Sequence, residues 1–409
     1  MSQPSFMLIA GEPSGDQIAA ELVMALRRDP GVLQHEFAPR FYGAGGPQLA
    51  AAGVELKCDM TRYAVVGLWE VLKQLGRFRR LLRQLVALAC ERRPDVVVCV
   101  DFGGFNLRFA SALRSRLRSE RGIFHNWRPR LVQYVSPQVW ASRPGRARRI
   151  AETFDLLLSI LPFERAWYAR EAPGLPVEFV GHPLLDRHSG LTTIEPPDDD
   201  PIPTVALLPG SRRGELRAHL PVMLVAARRI REAVPARFEV VLAGDQLADE
   251  ARQLAAATTG LELSIHISGL GGVLRRARVA LACTGTVTLE CALYGVPTVA
   301  LYRTSPLTYQ VARRVVTVRH LAMPNLLAGA EVFPEFIQSA ATPENLASAA
   351  LVLLTDANRR AQVRARLAEV VASLGGPGAS RRAAAAISRL LSRGCGHTDV
   401  PGPLPQTAA

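Results

Sequence analysis

Lysine is almost missing from this chain: Lys57 and Lys73 are the two present, and arginine supplies every other basic side chain. The formal charge of +13 is therefore an arginine charge. It is spread along an alanine-rich chain, as a biased codon supply produces. Zinc-finger spacing, an aromatic RNP-like strand and a basic arm are all lacking, so nucleic-acid binding is not expected. The six cysteines include no C-x-x-C pair and several sit in apolar runs, which excludes a disulfide frame and reads as small core residues in a reducing compartment. No stretch approaches the ~18 uninterrupted apolar residues of a membrane-spanning helix. The N-terminus enters a strand directly, without a signal-peptide pattern; the expectation is a cytoplasmic protein, at most peripheral to a membrane. G-x-G-x-x-G is absent, so a nicotinamide or flavin cofactor is not supported, and no acidic metal cage is evident: no cofactor or metal is expected.

What is present is a repeated strand–turn–helix pattern. Val279 to Cys283 reads as a buried strand, Thr284-Gly285-Thr286 as a tight turn, and a helix follows to Gly295. Such a turn presents unpaired N–H groups and the positive end of a helix dipole to an anion. Glu290, about one turn into the helix, reaches ribose hydroxyls beside a phosphate there; an ordinary βαβ unit with an exposed Glu has the same pattern. Upstream, Thr204 to Leu208 is a strand followed by Pro209-Gly210-Ser211-Arg212, a compact phosphate clamp of backbone N–H groups, a hydroxyl and a guanidinium able to bind two oxygens.

The N-terminal half starts the same way. Phe6 to Ala10 is a strand, Gly11 to Asp16 a polar loop, and Ile18, Leu22 and Leu26 mark one face of a helix. Gly43 to Gly46 reads as a plain loop. Val96 to Val100 is a clean strand ending at Asp101, before the flexible turn Phe102 to Asn106. A carboxylate at a strand tip projects into a ligand crevice and gains basicity from burial; it equally suits an N-cap. Ser136 to Trp140 carries polar and aromatic groups, Gln138 among them, to the same edge. The segment from Val65 to Arg83 alternates apolar residues with arginines, a pattern shared by lipid-interface helices and by helices that cover a sheet. His182 reads as a hydrogen-bonded hinge residue. After Tyr302 the chain is irregular as far as Gln338. The polar, Pro- and Asp-rich run from 188 to 203 marks a linker. The expected domains are 1–187 and 204–375, with a helix over 376–394 returning toward the first and a disordered tail over 395–409.

Nine motifs in order carry a resemblance: AGEPSGD (10–16), VDFGGFNLRFA (100–110), YVSPQVWASR (134–143), LPFE (161–164), VGHPLLD (180–186), LLPGSRRGE (207–215), TGTVTLECALYGVP (284–297), MPNLLAG (323–329) and PEFIQ (334–338). Together they resemble the lipid-A-disaccharide synthase family. The resemblance implies an α/β fold of GT-B type, two Rossmann-like doubly wound domains facing a central cleft. It implies an inverting transfer from UDP-2,3-diacylglucosamine to the 6-hydroxyl of 2,3-diacylglucosamine 1-phosphate (lipid X), at the cytoplasmic face of the inner membrane. It assigns Asp101 as base and gives the UDP sugar Gly210, Ser211, Arg212, Gly285, Thr286, Glu290, Asn325, Glu335 and Gln338. The acceptor side receives Glu12, Ser14, Gly15, Asp16, Asn106 and Gln138. Acyl chains and membrane fall to Val65, Val66, Leu68, Trp69, Leu72 and Phe78. Two departures stand out. Gly103 and Gly104 replace the family's usual Pro and acidic residue, which removes a second carboxylate and loosens the loop, and Ser142 replaces an aromatic residue. Another UDP-N-acetylglucosamine-using GT-B enzyme and a non-catalytic nucleotide-sugar scaffold are the competing readings.

Overall fold

The computed structural model describes residues 3–61, 68–120, 127–188, 200–256, 258 and 260–392, with backbone alone for 68–75. The chain divides into two compact units. The first comprises Met1–Val139, Pro144–Arg187 and Gly376–Ala409; the second comprises Trp140–Arg143 and His188–Gly375.

The first unit holds a seven-stranded parallel sheet. Its strands are β1 (Ser5–Ala10), β2 (Arg40–Gly45), β3 (Glu55–Asp59), β4 (Val96–Val100), β5 (Arg130–Tyr134), β6 (Leu156–Ser159) and β7 (Val177–Phe179). They lie in the order β3-β2-β1-β4-β5-β6-β7. Strands covered on both faces read as unbroken apolar runs, and the two-residue period divides them between two cores. Phe6, Leu8 and Ala10 pack on one face with Leu22, Leu26, Ala383 and Ile387. Met7 and Ile9 pack on the other with Leu81, Leu85, Leu88 and Phe109. The helices on these faces are α1 (Pro13–Leu26), α2 (Leu68–Arg92), α3 (Gly103–Ser119) and a C-terminal helix, Ala379–Ser392. That last helix is held by the Asp186 carboxylate, which accepts from the backbone N–H groups of Gly378, Ala379 and Ser380. A carboxylate over free N–H groups at a helix start stabilises it by about 1 kcal/mol.

The glycine run at 43–46 is a strand end, not a plain loop. Four of its residues lie within or just after β2, and a side chain at Gly43 would sit 1.9 Å from the Leu8 carbonyl oxygen of the neighbouring strand. Glycine reads as loop in a sequence; here it permits close strand approach.

The second unit repeats the plan with six parallel strands: β8 (Thr204–Leu208), β9 (Arg237–Leu242), β10 (Leu263–Ile267), β11 (Ala277–Cys283), β12 (Thr298–Tyr302) and β13 (Glu335–Ile337). Their order is β10-β9-β8-β11-β12-β13. The helices that matter below are α4 (Arg213–Ala233), α5 (Thr286–Leu293), α6 (Pro306–Val315) and α7 (Met323–Ala328). The stretch after Tyr302 is thus more regular than its sequence reads. Proline at the start of α6 and α7 initiates a helix as readily as it breaks one, and β13 is a three-residue edge strand too short to show a period.

Both sheets reverse strand order once, at β1/β4 and at β8/β11. In open parallel sheets ligands collect at that point, outside the carboxyl ends of the strands. The loops that leave these four strands are Gly11–Glu12, Asp101–Phe102, Pro209–Arg212 and Thr284–Gly285.

Candidate functional site

At the switch point of the first unit, Asp101 follows the fully buried β4. Its backbone takes a left-handed conformation (φ +49°), as do those of Phe102 (φ +44°) and Val135 (φ +65°). Non-glycine residues are held there only when their surroundings over-determine them. Two buried carboxamides do this. Asn106 Nδ2 donates to the carbonyl of Asp101 at 2.8 Å and to that of Val100 at 3.2 Å. Gln133 Nε2 donates to the carbonyls of Asp101 at 3.2 Å and Val135 at 3.0 Å. Asn106 is therefore committed to shaping the Asp101 turn, not presented to an acceptor sugar. Gln133 was invisible to motif reading because it sits inside an apolar strand; a polar residue fully buried in a central strand is the signal that marks it.

The first turn of α1 packs directly on this turn: a side chain at Gly15 would lie 3.3 Å from Asp101 Cβ. Burial, then the negative charge of Glu12, push the Asp101 carboxyl from its ordinary value up to about 6, against a backbone hydrogen bond from Phe102 that lowers it. Glu12 is half-buried, while Ser14 and Gln138 are exposed. Asp16 is different. It is buried, and its carboxylate accepts from the N–H groups of Gly46 at 2.6 Å, Gln48 at 2.9 Å and Leu49 at 3.3 Å. It ties α1 to the end of β2 and lies buried there, away from solvent.

Gly103 does not simply loosen the Asp101 loop. A side chain there would meet Pro137 Cβ at 2.6 Å, so the glycine admits the loop that follows β5. Phe78 also moves from its expected place. Its ring lies 6.4 Å from that of Phe102 and 6.1 Å from that of Phe105, so it faces the protein and backs the Asp101 turn. In its described part α2 is a sheet-covering helix. Val65 and Val66 lie outside the described residues, as do the side chains of Leu68, Trp69 and Leu72.

At the switch point of the second unit, the clamp is formed and holds an anion of the chain's own. The Glu215 carboxylate accepts from the Ser211 N–H at 2.9 Å and from Arg212 Nη1 at 3.0 Å. Gly210 (φ +116°) lets it in, since a side chain there would come within 2.5 Å of Glu215 Oε2. Ser211 and Arg212 are exposed, so an incoming anion can reach these donors and displace the Glu215 carboxylate from them. Gly285 and Thr286, exposed at the start of α5, face open space. Glu290 is half-buried on the same helix. Cys283, at the tip of β11, has its thiol pushed up to about 12 by burial and then by the Glu215 charge; it is a core residue and not a nucleophile.

Sequence reading missed His219. It is fully buried, with Nδ1 2.8 Å from the Pro209 carbonyl and Nε2 accepting from the Arg303 N–H at 2.9 Å. Burial lowers its basicity, so a neutral ring pins the loops after β8 and β12 together. By contrast His182, the expected hinge residue, is buried with its pKa lowered to about 4, and it accepts from the Leu184 N–H.

Three residues expected in the donor pocket also hold the fold together: Asn325 is buried, while Glu335 and Gln338 are half-buried. Asn325 Nδ2 donates to the Phe333 carbonyl and Glu335, and its Oδ1 accepts from Val332 and Phe333 N–H. All four of its hydrogen-bonding positions are filled. Glu335 accepts from the N–H groups of Leu321 and Ala322, and Gln338 bonds both the N–H and the carbonyl of Thr304. Among the described residues no cluster of His, Cys, Asp and Glu suits a metal ion, and no helix is long and apolar enough to cross a membrane.

Residues 6–389 match the family model described as lipid-A-disaccharide synthetase. The chain belongs to the lipid-A-disaccharide synthase family. It is a glycosyltransferase of lipid A disaccharide synthesis with a GT-B-type α/β fold. The lipid-A-disaccharide synthase of Trichlorobacter lovleyi is 37% identical over 395 residues, 95% of this chain and 97% of that protein. Among solved structures, the calicheamicin glycosyltransferase superposes with a TM-score of 0.58 at 16% identity, over 97% of this chain and 100% of its own. UDP-GlcNAc 2-epimerase of Neisseria meningitidis, solved with UDP-GlcNAc, gives 0.59 at 12% identity, over 95% and 100%. These two likenesses speak for the fold alone. In this chain the carboxylate with raised basicity and the arginine clamp each occupy a strand-order reversal.

Gln133 offers a direct test of the Asp101 scaffold. Gln133→Leu removes donors from the Asp101 and Val135 carbonyls, each then a buried acceptor short of a partner. The expected result in steady-state kinetics is a fall in kcat of about tenfold, with KM for the UDP sugar unchanged.

Proposed function

We propose that the enzyme moves the diacylglucosamine of UDP-2,3-diacylglucosamine to the 6-hydroxyl of lipid X. The O6–C1 bond forms as the C1–phosphate oxygen bond breaks, the hydroxyl proton passes to Asp101, and UDP leaves. The products are a β-1,6-linked disaccharide 1-phosphate and UDP. One direct displacement inverts the anomeric carbon and needs a base for the attacking hydroxyl. The observation that carries this reading is Asp101: a strand-tip carboxylate whose basicity burial has raised to about 6, near the pH at which a general base works best. Arg212, Ser211, Gly285 and Thr286 meet the diphosphate, since preorganised donors at a helix start stabilise charge developing on a leaving group. Glu290 takes the ribose, and Glu12, Ser14, Gly15 and Gln138 face the acceptor. Since both substrates are acylated, the protein works at the cytoplasmic face of the inner membrane, with the segment from Val65 to Leu72 at the lipid.

The test is turnover by purified protein in detergent with both lipid substrates, with and without EDTA, read by mass spectrometry. Disaccharide 1-phosphate and UDP in equal amounts are expected. Consumption of UDP-N-acetylglucosamine in place of the acylated donor would overturn the substrate assignment.

A further inference from the structure

The helix α6 buries no residue. It is well formed from local signals alone, with Ser305 accepting from the Thr308 N–H and proline at its first turn. Short helices in water gain most of their stability from packing an apolar face, and among the described residues this one's face is left exposed. Leu307 is 77% exposed, Val311 50% and the adjoining Val316 36%. Leu307, Val311 and Arg314 follow one another at i, i+4 and i+7, one ridge of the helix; Tyr309, Ala312 and Val315, half-buried, form the other side.

The charge carried by this segment of the chain has one sign. Arg303, Arg313, Arg314 and Arg319 are exposed, and the sequence from Arg303 to Ala330 contains no Asp or Glu. Apolar side chains on an arginine-flanked helix suit the boundary between acyl chains and anionic headgroups. The location fits as well. α6 starts four residues after Tyr302, and the loop between them is pinned by His219 to the Pro209–Arg212 clamp.

We infer that α6 is a membrane-docking helix of the second unit, seated on an anionic lipid surface beside the site that receives the donor diphosphate. The inference rests on the proposed acylated donor, whose chains then stay in the bilayer while its diphosphate is bound.

Flotation of the full-length protein with vesicles of phosphatidylcholine and phosphatidylglycerol tests it. Leu307→Ser with Val311→Ser is expected to cut the bound fraction about tenfold at limiting lipid. Arg313→Gln with Arg314→Gln is expected to abolish the preference for phosphatidylglycerol over phosphatidylcholine. In detergent, both variants should keep thermal stability and turnover within about twofold of wild type, because these exposed side chains lie outside the loops assigned to the substrates. Unchanged flotation of the first variant would overturn the inference. So would a change of molecular mass by light scattering at unchanged flotation, which would mark the face as a contact between copies. The two readings separate cleanly. A protein that makes disaccharide while its α6 variants float normally refutes the docking helix alone. One that docks through α6 but makes no disaccharide refutes the reaction.

Discussion

Asp101→Asn is expected to reduce turnover by at least about a thousandfold while UDP binding, read by calorimetry, stays within about twofold. The substitution keeps size and shape, and asparagine is among the side chains that best tolerate a left-handed backbone, so the turn between β4 and α3 should survive. What is lost is the proton acceptor. The pH profile gives the same group a second signature. With the wild-type carboxyl at about 6, kcat/KM should rise as pH increases through 6 and then level off. Stability should run the other way. The carboxyl binds its proton more tightly folded than unfolded, so folding is favoured at low pH and that advantage disappears as pH rises through about 6. At pH 8 the Asn variant, free of a buried charge, should therefore melt at a higher temperature than wild type. A variant that keeps its turnover would remove Asp101 from the chemistry.

Arg212→Ala is expected to lower kcat/KM by about two to three powers of ten, with part of the loss in donor affinity. Arg212→Lys restores the charge without the two-pronged geometry and should recover only part of it. The clamp now spends its donors on Glu215, so an incoming diphosphate has to displace that carboxylate. The second-unit fold should be unaffected, since the Arg212 side chain is about half exposed and its partner lies within the same helical turn. Equal kcat/KM for Ala and wild type would move the diphosphate away from this loop.

The two predictions lean on different kinds of information. Strand–turn–helix periodicity, written locally, placed the four loops and identified the residue types in them. Apolar runs at 6–10, 96–100, 204–208 and 279–283 read as strands covered on both faces, and a polar residue at the end of such a run suits a crevice or a cap. The nine motifs carried the family in the same local way. Asp16, Asn106, Asn325, Glu335 and Gln338 read identically to ligand-binding residues, because a side chain that hydrogen-bonds a sugar and one that hydrogen-bonds a distant peptide need the same atoms.

Fold class, the strands that carry the four loops and the residue types in each loop were thus legible in the sequence itself, since apolar runs, turns and motifs are written locally. Tertiary structure alone decided which polar groups remain free. Asn325 is saturated by Val332, Phe333 and Glu335, Asp16 is buried against the end of β2, and Phe78 packs on Phe102 and Phe105. Only packing across the sheet raised the basicity of Asp101 and brought Gln133 beneath it, and only the folded chain shows Leu307 and Val311 exposed among the described residues. Burial and hydrogen-bond saturation are sums over residues far apart in the chain, and a local pattern does not contain them.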